Sequence, residues 1–214
     1  MTRTDQPAVA SYSRALIASG LACVSLAGAG AAGADTLPLP KIDFALAGRT
    51  LGDNATVKMA HREGRIRLEI DVAGMPGGMT AFINPQRRRM IMLSDVPGMQ
   101  NMAVEVELPE QYAFAGMPIS GTRLGTDTVA GEACEVWRAA EKSEAGPVDA
   151  CITADGIVLR TQATVRGKPQ VVFEATEISR APQDPKRFEL PPGVKVTRMP
   201  KGMQSLLPGL GLGR

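Results

Sequence analysis

Between Arg65 and Val72 the chain alternates without a break between charged and apolar residues: Arg-Ile-Arg-Leu-Glu-Ile-Asp-Val. A repeat of two sends Ile66, Leu68, Ile70 and Val72 to one side and Arg65, Arg67, Glu69 and Asp71 to the other. That separation works on a half-buried β-strand and fails on a helix, whose period is 3.6. Thr56 to Arg62 reads as its partner strand, with Glu63-Gly64 as the tight turn between them. Val104, Val106 and Leu108 alternate with Glu105 and Glu107, which are read as solvent-facing. Further strands are predicted at Thr80 to Asn84 and Arg89 to Ser94, around a turn at Pro85-Gln86-Arg87. Ala133 to Ala139 and Ala150 to Thr153 follow, and Asp155-Gly156 is a hairpin signal before Ile157 to Arg160. Gly167-Lys168 turns the chain before Val171 to Ile178, and a last strand is predicted over Val194 to Arg198. No long segment carries a helical period. The expectation is a mainly β protein with little helix, built on one strongly curved antiparallel sheet, open or nearly closed.

The N-terminus has a different character. Arg3 and Arg14 precede an apolar run from Ala15 to Leu26, and Ala32-Gly33-Ala34 supplies small residues before Asp35. This is the pattern of a secretory signal peptide over residues 1–34, cleaved after Ala34, and it places the mature chain in the periplasm. The β domain is then expected over 35–198, followed by a Gly- and Leu-rich tail over 199–214. Losing Arg3, Arg14 and Asp5 leaves 22 basic and 21 acidic residues, a net charge of +1. So balanced a chain lacks the long-range field that attracts nucleic acid. Membrane contact is expected to be at most peripheral or transient.

Cys134 and Cys151 remain after the leader, 17 positions apart on two predicted strands. In an oxidising compartment an even pair is expected to be joined, the alternative being two buried thiols. The spacing excludes a catalytic Cys-x-x-Cys pair.

Three stretches carry a family likeness: VAGEACEVWRA (Val129 to Ala139), CITADGIVLR (Cys151 to Arg160) and QDPKRFELPPG (Gln183 to Gly193). Together they resemble the DUF4412-like exported bacterial domains, which are similar in turn to the LolA/LolB-like fold of lipoprotein carriers. The resemblance implies an incomplete β-barrel with an apolar inner face that an acyl chain can occupy. The sequence departs from the carriers in lacking a long amphipathic N-terminal helix, and none of its arginines aligns with their cavity arginine. Lipoprotein transport is therefore not carried over.

Candidate chemistry is sparse. His61 is the one histidine, and no nucleophile and orienting acid stand at readable spacing beside it, so no catalytic residue is assigned. It reads instead as a strand-end residue at the sheet rim. Met75 and Met79 bracket a Pro-Gly-Gly turn, and Met90 and Met92 share a strand face. Thioethers of this kind suit Cu(I), or simply fill irregular apolar space. Arg87-Arg88-Arg89 is either a solvated hairpin tip or a set of guanidinium forks suited to phospholipid or lipopolysaccharide headgroups. The preferred reading is a non-enzymatic domain without a cofactor that binds a lipid acyl chain or an apolar partner segment. Ile66, Leu68, Ile70, Met90 and Met92 are its expected lining. Methionine-based copper handling and a purely structural envelope role are the alternatives.

Overall fold

The computed structural model describes residues 35–51, 54–98, 101–108, 120–139, 147–165 and 168–200. All of them belong to the unit Ala32–Arg214. The proposed leader and residues 201–214 of the proposed tail lie outside the described residues.

Thirteen strands form one sheet. They are β1 (Asp35–Thr36), β2 (Phe44–Arg49), β3 (Ala55–Arg62), β4 (Arg65–Val72), β5 (Met79–Asn84), β6 (Arg89–Ser94) and β7 (Met102–Glu107). There follow β8 (Ser120–Val129), β9 (Glu132–Ala139), β10 (Val148–Ile152), β11 (Val158–Val165), β12 (Lys168–Ser179) and β13 (Lys195–Arg198). The spatial order is β1-β8-β9-β10-β11-β12-β2-β3-β4-β5-β6-β7-β13, and the sheet is not closed. Among the described residues the only helical element is a 3-10 turn at Pro185–Phe188.

Local chemistry fixes the hairpins. Glu63 and Gly64 stand at φ 50° and 74°, and Ala130 and Gly131 at 51° and 78°. Two successive positive φ values make the turn whose twist matches paired strands. Arg62 accordingly lies opposite Arg65, and Val129 opposite Glu132.

The sheet curls. Phe44 and Leu46 of β2 share a buried cluster with Val129 of β8 and Cys134 of β9, although β2 and β8 stand five places apart in the sheet. At about 4.8 Å per strand a flat sheet would hold them roughly 24 Å apart. Arg180, just past β12, confirms the curl from the rim. It reaches Glu132 at 2.9 Å and Asp155 at 2.7 Å, at the start of β9 and in the β10–β11 turn.

A strap crosses the convex face. After β12 the chain passes under β2, β3 and β4, tied by the Gln183 N–H to Asp43 Oδ2 (2.9 Å) and by Arg62 to the Gln183 carbonyl (2.6 Å). Arg67 donates to the Arg187 carbonyl at 3.1 Å, and the Arg65 guanidinium lies over the Phe188 ring at 5.5 Å. Leu190 and Val194 then cover Phe82, Ile91, Leu93 and Ala103. The strap delivers β13 alongside β7 in parallel, Lys195 opposite Met102 and Arg198 opposite Glu105. This edge pair is the one parallel pairing among the described strands: a strand that returns beneath the sheet, rather than by a hairpin, arrives in the same direction as its neighbour. The strap also explains why β6 is apolar on both faces, with Met90 and Met92 on one and Ile91 and Leu93 on the other.

Candidate functional site: the concave apolar face

The register assembles the concave face in rows. The first runs through Phe44, His61, Ile66, Ile83, Met90 and Val106, each opposite the next across β2 to β7. Every member is buried. The second row is Leu46, Met59, Leu68, Ala81, Met92 and Val104. Here Met59, Leu68, Met92 and Val104 keep part of their surface accessible. A third holds Val57, Ile70, Met79 and Ser94. The five residues expected to line an apolar face therefore do share one: Ile66 and Met90 in the closed row, Leu68 and Met92 in the second, Ile70 in the third. Sequence reasoning missed Phe44 and Leu46, because the strand FALAGR (Phe44–Arg49) mixes small residues into its alternation and gives a weak signal; Val57 and Met59 lie on β3, whose strand was predicted but whose residues were not counted in the lining.

Met59 is the join. It packs against the cluster of Phe44, Leu46, Ile157 and Leu159 and equally against that of Ile66, Ile83, Met90 and Val106. The two halves of the sheet thus present one continuous apolar surface.

His61 sits inside the first row and not at the rim, 2% exposed and stacked on Phe44 with ring centroids 5.3 Å apart. Its Nδ1 lies 2.8 Å from the Ile42 carbonyl and its Nε2 accepts from the Gly64 N–H at 3.2 Å. Both nitrogens are engaged by backbone, which suits a packing role and offers no base to a substrate.

The four methionines of the copper alternative are spread out. Met75 lies in the β4–β5 connection at 63% exposure, whereas Met90 is 5% exposed in the closed row. Met79 and Met92 occupy the third and second rows on adjacent strands. Among the described residues no group of three or more His, Cys, Asp or Glu side chains is placed to hold a metal ion.

Cys134 and Cys151 are joined, with Cα atoms 5.4 Å apart. The bridge ties β9 to β10 beneath the same apolar surface, at 4% and 2% exposure.

Glu105 departs from the sequence reading. Its side chain is 12% exposed, held by Arg89 at 2.6 Å and by Arg198 at 2.9 Å. Desolvation opposes its charge, yet Arg198 and Arg89 outweigh that and hold the carboxyl below its ordinary range.

No family model matches the chain, and neither does any curated protein. Solved structures do. An uncharacterized conserved protein from Thermus thermophilus superimposes with a TM-score of 0.55 at 12% identity, over 74% of this chain and 91% of that one. A chain of the Pseudomonas aeruginosa MucA/MucB complex gives 0.47 at 13% identity, over 72% of this chain and 58% of that one. A further structure of MucB gives 0.43 at 15% identity, over 73% and 60%. The first of these supports the fold, an open and strongly curved sheet.

Proposed function

We propose that the chain is an exported, periplasmic, non-enzymatic β domain that binds a lipid acyl chain or an apolar segment of a partner protein along its concave face. The observation that carries this reading is the second row, where half-buried Met59, Leu68, Met92 and Val104 fall on one line across β3 to β7 of a curved sheet, with buried Ala81 between Leu68 and Met92. Sites for such ligands need mainly apolar walls with few polar fixtures. Methionines among them adapt to chains of different shape. The disulfide is consistent with an oxidising compartment, and the leader over residues 1–34, cleaved after Ala34, supplies the route.

The test is binding of a fluorescent fatty acid by the purified full chain, alongside native mass spectrometry of protein taken from its own periplasm. Saturable binding that Leu68→Glu and Met92→Glu abolish supports the site. A chain that carries no ligand from the cell and binds neither the fatty acid nor apolar peptides overturns it.

A further inference from the structure

We propose that a second site, an arginine-lined cleft where the β5–β6 turn meets β7 and β13, binds a phosphate group. The cleft measures about 600 Å³. Four guanidinium groups reach it from separate elements: Arg87 and Arg88 from the turn, Arg89 from the start of β6, and Arg198 from the end of β13. Two carboxylates, Glu105 and Glu107, share it. Glu105 is taken by Arg89 and Arg198, and Glu107 lies 3.6 Å from Arg88. The acidic groups are thus already matched, and cationic capacity is left over. The Arg87 side chain makes no hydrogen bond or ion pair among the described residues, and the buried Nε of Arg89 has no acceptor among them. A buried N–H of a charged group is costly to leave unmatched.

The turn itself is built to present these groups. Arg88 stands at φ 51°, a conformation that glycine or asparagine adopts at less cost. It is held there by the Leu108 N–H donating to its carbonyl at 2.9 Å and by its own Nε donating to the Leu108 carbonyl at 3.2 Å. The Arg87 N–H is fixed by Asn84 Oδ1 at 3.0 Å. Backbone strain retained around a convergent cationic cluster points to use of the side chain. Phosphate fits because its several anionic oxygens accept guanidinium forks from different directions, whereas a single carboxylate occupies one or two. The group sits either on a phospholipid headgroup or on a small soluble molecule. The site is independent of the apolar face.

The experiment uses the full chain in a phosphate-free buffer, with two arms. Calorimetric titration with inorganic phosphate reports a soluble source. Co-sedimentation with phosphatidylcholine vesicles, with and without phosphatidylglycerol, reports a headgroup. Binding in either arm should weaken at least about tenfold in the double variant Arg87→Gln/Arg198→Gln, whose side chains are exposed. Arg88→Gly should weaken it also while the melting temperature holds or rises, which separates lost binding from lost folding. Wild type that binds in neither arm, or a double variant that binds like wild type, overturns the proposal.

Discussion

Met59 faces Leu68 directly across the β3–β4 hairpin, and Met59 is the side chain that packs into both apolar clusters of the concave face. Its removal should loosen the two halves of the sheet from each other. Met59→Ala is expected to cost about 2 kcal/mol, the low end for a core truncation because the site is only half-buried. Urea denaturation of variant and wild type measures it, and an unchanged midpoint would show that the halves do not depend on this contact.

The bridge between Cys134 and Cys151 closes 17 positions of chain. Cys134→Ser/Cys151→Ser should lower stability by about 3 kcal/mol on the chain-entropy account. Reductant added to the wild type should act slowly, since both sulfurs are buried. Comparison of denaturation midpoints with and without dithiothreitol tests both statements.

Gly156 occupies a position at φ 87° where a Cβ would come within 2.2 Å of the Leu39 backbone. Gly156→Ala therefore faces a strained dihedral and a backbone clash together. The expected loss is about 2 kcal/mol or more, with the Leu37–Pro40 segment displaced from the β10–β11 turn. Faster proteolysis near Leu39 would report the displacement; a variant as stable and as protease-resistant as wild type would refute it.

Acid should unfold the domain through its clasped carboxylates. The Arg180 hydrogen bond, helped by Thr153 and set against desolvation, holds Asp155 below its ordinary value of 3.8. Glu105 is lowered as well. For groups whose pKa is depressed on folding, the stabilisation is present above the unfolded-state value and lost as pH falls through the folded one. Stability should be level from about pH 7 to about pH 5 and decline below about pH 4. Thermal melts across that range should show a shallower acid limb in Asp155→Asn, and an identical limb would remove this clasp from the account.

Much of the architecture was legible because alternation and turn chemistry agree. Arg65–Val72 declares its buried face within a single strand, and Glu63-Gly64 declares the turn before it. β8 left no such trace. Thr126 to Thr128 face solvent, and a register shift between Arg123 and Gly125 breaks the period of two. The strap was hidden for another reason: its path is set by contacts such as Arg62 to Gln183, far apart in sequence, which no local pattern encodes. The same holds for Glu105. Alternation placed it correctly opposite Val104 and Val106, but Arg198, which buries it, arrives only with β13. His61 was misplaced because a polar residue at a strand end reads as rim until its backbone partners, Ile42 and Gly64, are known.

The segment that delivers β13 closes a second apolar face of the sheet. Everything from β2 to β7 is contiguous in the chain and pairs by neighbouring hairpins, so it can form while the C-terminal segment is still being delivered. Until that segment arrives, Phe82, Ile91 and Leu93 stand bare on the outer surface. A domain lacking that segment would be apolar on its outer side as well as its inner one. A chain cut short before Gln183 would leave that outer surface uncovered and prone to clump even with its hairpins complete.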